Sequence, residues 1–313
     1  MLVVYHVVGT NSGTGLSVSD GTALRDFNDA LSYFIVPLFA FISGLVYALR
    51  PPGVGFMQLV RSKARRLLLP VLLVGTAFAV LQARVAGSNA HVENWWLLHI
   101  EPVGHFWFLQ ALFLIFIAVA VLERLGALRT VWPFAAVALG SALLQVFWAA
   151  PNYFALNGAV SLLPFFLGGL AYQRFGLKGT GWSRLALLAF ALTAVIAICT
   201  PEAMPVTYEQ LTRLTLGLAG AYLLVVMRLD NRDLASIGNY SFAIYLFHVF
   251  FTAGSRIVMN KLGVTDLSAM LLVGVSAGLV LPMIAAWVIA RFPAVDGLVL
   301  ANRPVRARAS LGG

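Results

Sequence analysis

The sequence predicts an all-α protein, a polytopic transmembrane helix bundle of about ten helices. Three observations carry that prediction. Hydrophobic residues make up 60% of the 313 residues and charged residues only 11%, less than half the charge of an ordinary soluble domain. Apolar runs of roughly 20 residues, enough to cross a hydrocarbon core about 30 Å thick, recur along almost the whole chain. Basic residues fall in short loops between those runs. The formal charge of +9 therefore reads as topological charge and not as a basic face for nucleic acid. Residues 1–313 read as one integral membrane domain, with a cytoplasmic tail within 291–313.

Taken in order, Met1 to Val8 is apolar but reaches only about 13 Å as a helix, too short to cross. It lacks the charged start of a signal peptide and is expected to be the outer half of an N-terminally truncated first helix. A polar loop, Thr10 to Asp29, precedes a long apolar run over 31–49, after which basic residues cluster from Arg50 to Arg66. Further spans are predicted over 67–86, 106–122, 130–149, 159–175, 185–199, 211–227, 241–258 and 268–290. Scattered Gly and Pro residues suit membrane helices, whose neighbours can satisfy the backbone groups a Pro leaves free. No internal repeat marks an inverted-repeat transporter. The single cysteine, Cys199, lies near the end of a span, so neither a disulfide framework nor a Cys-based metal site is expected.

Orientation follows from the basic residues, because cytoplasmic loops carry the excess of Lys and Arg. Alternate loops hold 16 and 5 of them, the smaller set being Arg25, Arg84, Arg213, Arg256 and Lys261. That set is expected outside and the C-terminus in the cytoplasm. The loop 87–105, with His91, Glu93, Trp95, Trp96, His99 and Glu101, then faces outward, and its Trp pair suits an interfacial anchor.

An ionisable group within an apolar span costs roughly 2.5–3.5 kcal/mol on insertion scales, so each one asks for a reason. His6 and His248 are the two histidines inside predicted spans. Neutral imidazole is the cheapest titratable group to place there and can still exchange a proton. Taken alone, a buried His more often makes a structural hydrogen bond. His105 opens the stretch Gly104-His105-Phe106-Trp107-Phe108-Leu109 at the outer mouth of a helix, where an aromatic belt is the plain reading. His6 and His105 are expected at similar depth, able to face one pocket. On the inner side, Lys63 and Arg66 lie three apart on a helix entering the membrane. They can hold phosphate groups, although topological charge or anionic lipid contact accounts for them equally well.

Four pieces of the chain, in order, resemble the acyltransferase-3 family of membrane O-acyltransferases, which includes sugar and polysaccharide O-acetylases. They are Val3-Val4-Tyr5-His6, the stretch Val36 to Gly44 leading to Arg66-Leu67-Leu68-Leu69-Pro70, His105 to Leu109, and Ile237 to Ser241 with Ile244-Tyr245-Leu246-Phe247-His248. The resemblance implies transfer of an acyl group, acetyl first of all, from acyl-CoA to a hydroxyl of a cell-surface glycan or lipid-linked sugar. It implies a bacterial inner membrane and no metal. Lys63, Arg65 and Arg66 would hold the donor's phosphates. His6 would act as general base or carry the acyl group, while His105, Trp107 and Tyr245 would shape or polarise the site. His248 is assigned a structural part, and Ser43 and Gly44 a close helix approach.

One departure matters: the Arg that the family places about eleven residues before the first-helix His would precede Met1 in this sequence. An inactive family member is therefore one competing class. A transporter or flippase is the other, disfavoured because acidic residues such as Glu123 and Asp230 sit only at span ends.

Overall fold

The computed structural model describes residues 1–49, 55–85, 92, 94–149, 151–199, 206–227 and 231–301. Arg50, His91, Glu93 and Asp230, and Arg228, Arg303, Arg306 and Arg308 of the larger set of 16 basic residues, lie outside them. Twelve helices form the described residues: α1 (Leu2–Val8), α2 (Ala23–Leu49), α3 (Phe56–Arg84), α4 (Gly104–Arg124), α5 (Val131–Phe147), α6 (Tyr153–Arg174), α7 (Thr180–Cys199), α8 (Val206–Val226), α9 (Arg232–Gly238), α10 (Ser241–Lys261), α11 (Leu267–Ile289) and α12 (Pro293–Val299). Strand pairing among them is limited to an isolated bridge between Leu98 and Glu101.

Every predicted span coincides with a helix, but the expected ten crossings reduce to seven helices long and apolar enough to cross a membrane: α2, α3, α4, α6, α7, α10 and α11. The shortfall has physical causes. α1 has only 7 residues and α5 only 17. α8 carries Glu209, Gln210 and Arg213 in its first turns.

α2 also starts at Ala23, inside the predicted polar loop, because the charge of Arg25 is neutralised within the fold and so does not end the helix. α3 starts at Phe56, well before the predicted boundary, and contains two π-turns, Ala64–Leu68 and Val71–Gly75, on either side of Pro70. Proline lacks the N–H and its ring crowds the carbonyl one turn back, and a widened turn relieves both. At the start of α11, Asp266 accepts from the Ala269 backbone N–H at 2.7 Å, an N-cap that holds the first turn.

The centre of the bundle is the pair α2 and α6. A Cβ on Gly44 would overlap the Phe166 carbonyl, and one on Gly169 would overlap the Phe41 carbonyl, so the two backbones touch through a reciprocal glycine contact. Gly44 thus takes the small-residue role expected of it, whereas Ser43 spends its hydroxyl on the Phe39 carbonyl at 2.8 Å. α4 packs beside α6 and contributes the aromatic core residues Phe106, Phe108 and Phe116. α7 buries no residue and presents Leu185, Leu188, Leu192 and Ile198 outward.

α1 sits against α2, α10 and α11. Val3, Val7 and Ile244 form a small core there. The room comes from α11: a Cβ on Gly278 would lie 2.6 Å from Val3, and one on Gly274 would lie 2.9 Å from Val7. Two glycines thereby seat the short helix that carries His6.

Candidate active site

His6 occupies the last turn of α1, and the helix end is fixed from α2. Gly9 terminates α1 with φ +109°, where an added Cβ would overlap the Thr14 carbonyl. Its carbonyl accepts from Arg25 Nη1 at 2.9 Å and from Asn28 Nδ2 at 2.9 Å. Asn28 also reaches the Tyr5 carbonyl at 3.4 Å. Arg25 is 1% exposed, and its Nε donates to both oxygens of Asp29 at 3.0 and 3.1 Å, with Nη2 also on Oδ1. A cation thus meets the negative end of α1, where the helix dipole favours it. From the sequence Arg25 reads only as charge in a polar loop and Asn28 carries no signal of its own; the helix beginning at Ala23 is what sets them one turn apart.

His105 enters at the start of α4 after Gly104 and is 8% exposed. Its Nε2 lies 3.0 Å from the Tyr245 carbonyl, and the Tyr245 hydroxyl donates to the His105 carbonyl at 2.5 Å. His248, one turn after Tyr245 on α10, places Nδ1 2.8 Å from the Ile244 carbonyl and 2.9 Å from the Tyr245 carbonyl. Carbonyls only accept, so His105 Nε2 and His248 Nδ1 carry the hydrogens, and in the neutral rings His105 Nδ1 and His248 Nε2 hold lone pairs. His248 Nε2 is buried without a partner.

The three imidazoles form a triangle, with ring centroids 4.9 Å apart for His6 and His248, 4.9 Å for His105 and His248, and 5.9 Å for His6 and His105. Among the described residues the His6 ring makes no hydrogen bond. Its place is set by packing and by the α1 terminus. No group of three or more His, Cys, Asp or Glu side chains among the described residues is placed to hold a metal ion.

Two of these rings, His6 and His105, border a cavity of about 970 Å³. His6, His105 and Tyr245 line it with Trp107, Phe39, Phe78 and Phe108. Its polar rim includes Thr10 and Thr14 of the α1–α2 loop, Tyr33, Glu209, Arg213 and Arg256. Glu209 accepts from Arg213 at 2.8 Å, and the Arg213 guanidinium lies 5.1 Å from the Tyr33 ring centre. Arg256 donates to the Gly15 carbonyl and holds the loop.

Of the residues singled out from the sequence, His6, His105 and Tyr245 come together at this cavity with Trp107. His248, assigned a structural part, stands in the same triangle although it does not line the cavity. Lys63, Arg65 and Arg66 do not line it either. Lys63 is drawn inward with Nζ 3.5 Å from the Phe116 ring centre, while Arg65 and Arg66 are exposed. Along α3, Lys63 and Leu81 of the cavity wall are separated by roughly 27 Å at 1.5 Å per residue.

An all-helical bundle with seven helices long and apolar enough to cross a membrane, and a histidine triangle beside its cavity, defines an integral membrane protein. The chain belongs to the acyltransferase-3 family: the family model for the acyltransferase domain matches residues 1–291. Comparison with curated proteins found no significant match, and neither did comparison with solved structures.

Proposed function

We propose that this acyltransferase moves an acyl group, acetyl in the simplest case, from acyl-CoA to a hydroxyl of a glycan or lipid-linked sugar. The observation that supports this reading above all is the His6 imidazole, which lines a cavity roomy enough for a sugar while backed by His105 and His248. A ring nitrogen of His6 takes the proton of the acceptor hydroxyl as its oxygen attacks the thioester carbonyl carbon. The carbon–sulfur bond then breaks, and the departing thiolate receives that proton from His6, leaving a free thiol and a new ester. A thioester is already reactive, so no covalent relay is required.

Lys63, Arg65 and Arg66 would hold the donor's phosphates through charge-assisted hydrogen bonds at the opposite end of α3. The thin pantetheine arm would carry the thioester from there to His6. On this reading the basic end of the bundle faces the cytoplasm of a bacterial inner membrane and the acceptor enters from outside.

The test is His6→Gln in the full chain reconstituted in lipid nanodiscs, with acetyl-CoA as donor and the purified cell-surface glycan as acceptor. Transfer should fall about 10²–10⁴-fold, the usual worth of a placed general base, with acetyl-CoA binding and thermal unfolding unchanged. Transfer within a few-fold of wild type would exclude His6 as the base. Detection of the new ester by mass spectrometry also separates this activity from transport, which leaves its substrate unmodified.

A further inference from the structure

One polar group on the cavity wall has no part in proton transfer. Gln145 of α5 lines the cavity, yet it is only 8% exposed and its Oε1 is buried with no hydrogen-bond partner. Its neighbours on the helix cannot help: Ser141, one turn earlier, donates to the Ala138 carbonyl at 2.7 Å, and Leu144 and Val146 are apolar. A buried amide left unpaired is costly. In an apolar helix such a group persists when something in the cavity satisfies it.

Two further lining residues, one on α6, which packs beside α5, and one on α4, which packs beside α6, say what kind of ligand would do so. Ser161 of α6 lines the cavity and, among the described residues, its hydroxyl makes no hydrogen bond. Trp107 lines it as well, clamped against α6 so closely that a Cβ on Gly158 would lie 2.7 Å from its ring. A carboxamide and a hydroxyl both donate and accept, as a sugar hydroxyl does, whereas a carboxylate or phosphate needs donors alone. An indole beside them offers an apolar surface to the C–H face of a pyranose ring.

We propose that Gln145 and Ser161, beside Trp107, form a saccharide subsite in which the Gln145 carboxamide grips one ring hydroxyl and so determines which other hydroxyl is presented to His6. The inference rests on the acyl-transfer reading for its last step, since an acceptor is what His6 would act upon. The carboxamide can be turned over without change of shape, so either its oxygen or its NH₂ can meet the sugar.

The experiment uses the full chain in lipid nanodiscs with methyl β-D-glucopyranoside and its monodeoxy analogues as probes, dissociation constants being read by saturation-transfer NMR. Wild type should bind one analogue about tenfold more weakly than the parent sugar, the loss expected for one hydrogen bond to a buried group. Gln145→Met, close in shape but without hydrogen-bonding capacity, should bind that analogue and the parent equally. Its thermal unfolding midpoint should match or exceed that of wild type, because an unpaired buried amide has been removed.

A Gln145→Met variant that keeps the tenfold preference overturns the subsite. Failure of wild type to bind any of the sugars overturns it too, leaving water as the partner of the amide. If the sugars bind as expected but wild type transfers no acetyl group to them or to the glycan, the subsite stands and the acyl-transfer reading fails.

Discussion

Tyr245 and His105 hold each other through two hydrogen bonds that run in opposite senses, hydroxyl to carbonyl at 2.5 Å and imidazole to carbonyl at 3.0 Å. The pair ties the first turn of α4 to the second turn of α10 with no charge involved. Tyr245→Phe keeps the ring but leaves the His105 carbonyl without its donor. The variant should be destabilised by about 1–3 kcal/mol in thermal unfolding, and transfer should fall about tenfold as His105 loosens. Wild-type stability together with wild-type transfer would show that the paired bonds do not position the site.

Arg25→Met tests the anchor of α1. Asp29 is 55% exposed and can turn to water, but the Gly9 carbonyl then depends on Asn28 alone. A loss of about 1–3 kcal/mol is expected for breaking a buried, charge-assisted network, with transfer reduced and acetyl-CoA binding intact. Adding Asn28→Ala should cost more than the sum of the single changes, since only the double variant strips the carbonyl of both donors. Strict additivity in a double-mutant cycle would sink the shared-carbonyl account.

This anchor also marks where sequence reading stopped. Apolar runs declare helices directly, and the order of the four family-like pieces points to His6, His105 and Tyr245 without any knowledge of packing. The partners of Gly9 lie 16 and 19 residues away on another helix, and nothing in periodicity links them. His248 reads from the sequence as structural, as a buried histidine taken alone more often is; only the packing of α1 against α10 brings His6 within 4.9 Å of it. The π-turns of α3 were invisible for a related reason. Pro70 could be read, but not how the helix would widen around it.

The glycine contact between α2 and α6 gives a prediction with its own control. Gly169→Ala drives a methyl into the Phe41 carbonyl and should cost about 1–3 kcal/mol or more, as overpacking does when backbone must move. Gly140 of α5 has nothing within 4 Å of an added Cβ. Gly140→Ala should be neutral or stabilising by up to about 1 kcal/mol through helix propensity. Equal effects of the two changes on the unfolding midpoint would contradict the close approach.

His99 supplies a pH dependence outside the membrane-spanning segments. Thr76 Oγ1 donates to the Leu72 carbonyl, so His99 Nε2, 2.8 Å away, donates to Thr76, leaving Nδ1 buried without a partner. Burial lowers the pKa of this imidazole below its ordinary value. The unfolded chain then takes up the proton more readily than the folded one, so stability from this residue is full above about pH 6.5 and declines below it. It levels off once the pH passes the lowered folded value. The unfolding midpoint of wild type should therefore drop relative to His99→Gln between about pH 7.5 and pH 5.5. Parallel curves for the two proteins would refute this, with the remaining histidines cancelling in the comparison.

The seat made for α1 by Gly274 and Gly278 has a consequence for heredity. Neither residue has atoms with which to touch a substrate, yet each marks a place where a side chain would push Val7 or Val3, and with them the imidazole between, out of register. Lesions that silence this protein need not fall among its reactive groups. A single-base change that enlarges either glycine should do so from across the bundle, while chemistry, charge and donor recognition all remain encoded intact.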